Sequence, residues 1–291
     1  MQATSLSVNM PGPCNADCPF CISKLTGHCE EKAIDPSALM KAFKYAAHHK
    51  VDTVLFTGKG EPTLNFPFLE LAIREASEIF PIIELQTNGL VLWEDYTSGN
   101  FKLLDRLRHL GLTTLSISIC DFIASFNTGI LQPSAKKYQS YNYLDLVTYV
   151  NELGLLCRIS LNMNNVNYEL IPERIRDGAI DIKEAGGHQL TLRELGIPNS
   201  YPESHEHIVD WIKEYSLSNY QLMAIKKEVE DENRMLRTVS YGPNVYDYHG
   251  LSTVIASCMS DNKDPEEIRS LILQPNGHLY HSWNFEGSIL L

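Results

Sequence analysis

Short runs rich in β-branched and apolar residues recur along the chain to about residue 215, at 4–10, 51–57, 82–87, 113–119, 156–162 and 188–192. Between them, apolar residues fall three or four positions apart: Leu39, Phe43 and Ala46; Leu69, Ile73, Ala76 and Phe80; Leu103, Leu107 and Leu110; Leu146 and Val150. The short runs suit strands buried in a sheet, and the wider spacing suits helices with one apolar stripe. Their alternation predicts repeated βα units and a parallel sheet. Asp35-Pro36 supplies an N-cap and a first residue for the first long helix. After a helix at 203–217 and a charged stretch from Lys226 to Arg237, the pattern turns β-rich around 238–256 and 268–283. The last segment reads as a hairpin, because Pro275-Asn276-Gly277 separates two alternating runs and Asn-Gly tolerates positive φ.

The 291 residues carry 24 Lys and Arg against 36 Asp and Glu, a formal charge of -12 that repels polyanions and argues against general nucleic-acid binding. The small basic groups Lys136-Lys137, Lys226-Lys227 and Arg234 with Arg237 read as solvated faces. No apolar run approaches the ~20 residues that span a bilayer, and the N-terminus lacks the pattern of a secretory leader, so no membrane association and a cytoplasmic location are expected. Seven cysteines in a chain this long point to metal ligation before a disulfide framework.

Three of the seven stand in PCNADCPFC, just after the first predicted strand: Cys14, Cys18 and Cys21. Thiolates this close can converge on one metal centre. A closed zinc site needs a fourth protein ligand, for which His28 or Cys29 is available, whereas a cluster with three cysteines leaves one iron open. The second strand ends in Phe56-Thr57-Gly58-Lys59-Gly60-Glu61-Pro62, where glycines let backbone approach a ligand and proline sets the exit. The third ends in Gln86-Thr87-Asn88-Gly89.

With Phe20 before its last cysteine, the Cys-x3-Cys-x2-Cys loop resembles the signature of the radical S-adenosylmethionine superfamily. The resemblance implies one [4Fe-4S] cluster on Cys14, Cys18 and Cys21. Its open iron would chelate S-adenosylmethionine, and one-electron reduction would release methionine and a 5′-deoxyadenosyl radical. It implies that Gly58, Gly60, Glu61 and Pro62 match the superfamily's Gly-Gly-Glu-Pro segment that receives the cofactor's amino group, with Lys59 in place of the second glycine. Thr87 and Asn88 match the Thr-Asn-Gly that follows the third strand, and Ser118 and Arg158 stand where relatives contact the cofactor's ribose or carboxylate.

In layout the chain is most similar to the GTP 3′,8-cyclase family of molybdenum-cofactor synthesis, including Val166-Asn167 after the fifth strand. That family holds a second cluster on three C-terminal cysteines around a hairpin. Here the hairpin LILQPNGHLYHSW is present but only Cys258 remains, so no second cluster is expected. The cyclase's arginine-bearing tail also has no counterpart, which argues against GTP cyclisation. Cys120 and Cys157 read as buried thiols inside strands, and Cys29 has no assigned role.

The expected architecture is α/β: a partial (β/α)6 TIM-like barrel over residues 1–220, with a β-rich extension over 221–291, a degenerate auxiliary-cluster-like region that covers the barrel's lateral opening or mouth. The expected activity is hydrogen abstraction from a small-molecule or nucleotide substrate, with electrons from a donor such as flavodoxin or ferredoxin. Tyr241, Tyr246, Tyr248, His249, His278, His281 and Trp283 in the extension are candidates for stacking and hydrogen bonding. The alternatives are a peptide-modifying enzyme and a cofactor-binding regulator that does not turn over. No catalytic residue stands out.

Overall fold

The computed structural model describes residues 3–26, 33–231, 233–239, 242–257, 268–283 and 285–291. Six strands follow the expected alternation closely: β1 (Ser5–Met10), β2 (Thr53–Gly58), β3 (Ile82–Thr87), β4 (Thr114–Ile119), β5 (Leu156–Met163) and β6 (Gln189–Glu194). Five more come after them: β7 (Arg234–Thr238), β8 (Asn244–Tyr248), β9 (Leu251–Ser257), β10 (Ser270–Leu273) and β11 (Leu279–Tyr280). All belong to one sheet ordered β11-β10-β1-β2-β3-β4-β5-β6-β9-β8-β7.

β1 to β6 are parallel, as in the expected barrel, and the C-terminal strands continue the wall at both edges. β10 runs parallel beside β1, pairing Ser5 with Ser270, and β9 runs parallel beside β6, pairing Leu190 with Thr253. Antiparallel β11 flanks β10, and antiparallel β8 and β7 flank β9. The predicted hairpin closes between β10 and β11, with Gly277 at φ +83°. A second tight hairpin joins β8 to β9 through His249 and Gly250, both at positive φ, as a mirror-image two-residue turn requires.

Strand alternation gives this sheet two unlike faces. Leu6 and Val8, Val54 and Phe56, Ile83 and Leu85, Leu115 and Ile117, Ile159 and Leu161, and Leu190 and Leu192 are buried in one core with the apolar stripes of the helices. Burying each such side chain stabilises the fold by roughly 1.5–3 kcal/mol. The intervening positions are polar: Ser7 and Asn9, Glu84 and Gln86, Ser116 and Ser118, Arg158 and Ser160, Thr191 and Arg193. A core face needs no such groups, so this inner face is built to meet a polar ligand.

The helix Pro36–His48 starts as expected, with Asp35 accepting from Ser37 N at 2.6 Å. The charged stretch divides between two elements. Lys226 and Lys227 lie within a helix, Asn219–Glu230, whose Ser218 and Gln221 form a reciprocal capping box, while Arg234 opens β7. Among the described residues no helix is long and apolar enough to cross a membrane.

Candidate functional site

The cysteine loop leaves β1 at Met10 and ends in a helical turn, Ile22–Leu25, entered directly from Cys21. Cys14 is exposed, Cys18 and Cys21 are half-buried, and all three are free thiols. Neighbouring elements pin the loop by its backbone. Asp17 N donates to Leu131 O at 3.0 Å and Ser134 N to Asn15 O at 2.9 Å on one side; Lys59 N donates to Met10 O at 3.0 Å and Glu61 N to Pro13 O at 2.9 Å on the other. Burial raises the pKa of both Cys14 and Cys18, and charge on Cys21 and Cys14 raises Cys18 further. Cys14 and Cys18 therefore resist ionising unless a cation joins them. A metal centre supplies that cation, so the donor set fits an iron-sulfur cluster.

The turn after β2 is shaped around this loop. A side-chain Cβ on Gly60 would fall 2.1 Å from Gly12 O and 2.2 Å from Pro13 O, so only glycine lets the two turns meet. Lys59, where the superfamily segment has glycine, donates from Nζ to Ser23 O at 2.8 Å and also to Thr26 O. Both carbonyls belong to the turn entered from Cys21, so a cation caps it where helix carbonyls lack partners.

Glu61 is buried and spends its carboxylate inside the protein. It accepts from Thr63 N at 3.1 Å, Thr63 Oγ1 at 2.6 Å, Thr87 Oγ1 at 2.6 Å and Asn88 N at 2.9 Å. Burial pushes its pKa up, while those hydrogen bonds pull it down. The effect is to lock the β2 turn, including Gly58 and Pro62, to the β3 turn carrying Thr87 and Asn88. Asn88 then reaches the cysteine loop, donating to Asn15 Oδ1 at 2.8 Å and lying 3.8 Å from Cys14 Sγ. Gly89 follows at φ +79°, with Tyr141 Oη 2.4 Å from where a Cβ would sit.

Ser118 and Arg158 both lie on the inner face, Ser118 level with Ser160 and Arg158 level with Ser116. Arg158 is ion-paired to Glu84, which also accepts from Gln86 at 2.9 Å. Its guanidinium is lowered to about 10 by burial and then by Arg193. The fork that the resemblance assigns to a cofactor carboxylate is thus engaged by a carboxylate of the protein.

Cys120 and Cys157 are buried, as expected. Cys29, Cys258, His28 and Tyr241 lie outside the described residues. Among the extension's aromatics, Tyr248 is packed away with its hydroxyl donating to Glu228 at 3.0 Å, and His278 sits on the exposed hairpin turn. Lys59, Asn15, Glu84 and Arg193 escaped the sequence argument. Only Lys59 left a trace there, as the residue departing from the glycine pattern.

Several known proteins are similar to the chain. It is 27% identical over 116 residues to an uncharacterized protein of Methanocaldococcus jannaschii, covering 40% of this chain and 34% of that one. It is 29% identical over 150 residues to a probable dual-specificity RNA methyltransferase, RlmN, of Prochlorococcus marinus, covering 48% and 41%. The chain thus spans less than half the length of these curated relatives. Among solved structures, SuiB of Streptococcus suis bound to S-adenosylmethionine shares the fold at TM-score 0.53 and 14% identity, covering 97% of this chain and 58% of that one. The same protein bound to its precursor peptide SuiA gives TM-score 0.53 at 15% identity, covering 97% and 60%. The family model of the Radical SAM superfamily matches residues 8–178, more than half of the chain and the segment that carries the end of β1, the cysteine loop, β2 to β5 and both glycine turns. The protein therefore belongs to the radical SAM superfamily, whose members are enzymes.

Proposed function

We propose that a single cluster on Cys14, Cys18 and Cys21 serves hydrogen abstraction from a small-molecule or nucleotide substrate held against the polar inner face. The observation that carries this reading is the position of the loop. It stands at the carboxyl end of β1, where barrel enzymes bind ligands, above the face lined by Ser116, Ser118, Ser160 and Thr191. When bound, the cofactors supply one-electron reductive cleavage of S-adenosylmethionine. The chain's own work is positional. Gly58, Gly60 and Pro62 bring the β2 turn against the loop, Glu61 fixes that turn to Thr87 and Asn88, and Ser118 offers a hydroxyl to the sugar or carboxylate of the cofactor. Thr87 and Asn88 shape the cofactor's side of the mouth, and the packed wall excludes water from it.

Electrons come from a one-electron donor such as flavodoxin or ferredoxin, and the setting is cytoplasmic. The test is 5′-deoxyadenosine formation by anaerobically reconstituted protein given S-adenosylmethionine and a reductant, with Cys18→Ala as control. Product from wild type alone supports the reading; no product from iron-loaded wild type defeats it. A second reading, peptide modification, draws support from the fold shared with SuiB along 97% of the chain. It predicts that product formation accelerates with a peptide and not with small acids or nucleotides.

A further inference from the structure

The side-chain amide of Asn88 has its direction fixed by its own backbone. Oδ1 accepts from Leu90 N at 3.1 Å, where the helix Leu90–Thr97 begins, so the oxygen is held on the helix side. The nitrogen is thereby turned to the cysteine loop. One N–H of Nδ2 meets Asn15 Oδ1 at 2.8 Å, and Cys14 Sγ lies 3.8 Å from the same nitrogen, placed to accept an N–H···S hydrogen bond. An amide nitrogen carries two hydrogens, so the two contacts do not compete.

The rest of the residue is equally constrained. Its backbone N donates to Glu61 Oε2 at 2.9 Å, Gly89 after it takes φ +79°, and only 9% of its surface is exposed. Water therefore competes little for the second N–H, and a buried hydrogen bond is electrostatically stronger than an exposed one. Hydrogen bonds to the ligating sulfurs are one of the levers that set the potential of an iron-sulfur centre. A donor locked against the Cys14 sulfur can act on the electron as well as on the loop.

We propose that Asn88 raises the reduction potential of the cluster held by Cys14, Cys18 and Cys21, its amide donating an N–H···S hydrogen bond to the Cys14 thiolate. This deepens the reading above and rests on its single cluster. Gaining an electron adds negative charge that spreads onto the ligating sulfurs, and an N–H aimed at one of them favours the more negative form. Asn15, on the other hydrogen of the same nitrogen, holds the loop in place without touching the sulfur's donor. The two contacts of one amide thus divide the work: one positions the loop, the other sets how readily it accepts the electron.

The test uses anaerobically reconstituted full-length protein at matched iron content, with potentiometry followed by electron paramagnetic resonance as the readout. In Asn88→Ala the ratio of reduced to oxidised protein at a fixed applied potential is expected to fall about threefold or more, which is about 30 mV for one electron. Asn88→Asp keeps the shape of the side chain, and the unpaired Asn15 Nδ2 can turn to meet the new oxygen, so the loop stays tied while an acceptor replaces the donor beside Cys14. Its potential should fall at least as far. Asn15→Ala breaks the tie to the loop but leaves the donor to Cys14, so it should lose iron to a chelator faster while keeping the wild-type potential. Equal potentials in wild type, Asn88→Ala and Asn88→Asp overturn the proposal. An equal fall in Asn15→Ala also overturns it, assigning the effect to movement of the loop. Wild type that takes up no iron defeats the functional reading and this proposal with it, whereas iron-loaded proteins with equal potentials defeat this proposal alone.

Discussion

Asn88 ties the end of β3 to Asn15 in the cysteine loop, donating from Nδ2 to Oδ1 at 2.8 Å. Asn15 sits between the first two cysteines, so this bond sets the loop's height above the sheet. Asn88→Ala should leave the fold intact but speed the loss of iron to a chelator. An unchanged release rate would show that the backbone bonds alone hold the loop.

Iron content follows from the ligand count. Reconstituted wild type should carry about four irons per chain, and Cys14→Ala, Cys18→Ala or Cys21→Ala should carry almost none. Cys258→Ala should match wild type. About eight irons in wild type, halved in Cys258→Ala, would establish a second cluster.

Gly60→Ala tests the close approach of the two turns. With 2.1 Å between the new methyl carbon and Gly12 O, the cysteine loop must move, and most of the iron should be lost even though no ligand changes. Full iron loading in this variant would mean that the loop tolerates displacement.

Glu61 separates a structural role from direct cofactor contact. Glu61→Ala strands two backbone N–H groups and two hydroxyls, and should lower stability by on the order of 3 kcal/mol or more in urea unfolding. Glu61→Gln should recover part of it. A variant that keeps wild-type stability but loses affinity for S-adenosylmethionine would place Glu61 against the cofactor instead.

Lys59→Met removes the cation from the carbonyls of Ser23 and Thr26. A hydrogen bond to a charged group contributes about 1.5–3 kcal/mol, so the turn after Cys21 should loosen and chelator-driven iron loss should quicken. Lys59→Arg should lie between the two, and identical release from all three proteins would remove Lys59 from the account.

The βα alternation was legible because each of β1 to β6 carries its own apolar run, and glycines mark the turns after β1, β2 and β3. The cysteine spacing was legible for a similar reason, since the chemistry sits within eight consecutive residues. What escaped was non-local or masked by charge. The helix Asn219–Glu230 was hidden by lysines and glutamates, although Ser218-x-x-Gln221 marked its start. Nothing in LILQ announces a partner in LSVN, because strand pairing is written in matching patterns far apart. The Glu84–Arg158 pair was invisible for the same reason: each is one polar residue in an alternating strand until register brings them together.

β1 has β2 on one side and β10 on the other, and the bond from Asn9 to Gln274 spans 265 residues of sequence. Synthesis therefore delivers the strand that bears the cysteine loop first and its second neighbour last among the parallel strands. Closing so long a loop costs entropy before any contact repays it, which makes β10 docking a late event in folding. Until then the thiols ride on an unfinished wall, open on one flank to metal delivery and to oxidants alike. A chain cut before Ser270 would keep that flank permanently, leaving β1 as a sheet edge available for pairing with other molecules.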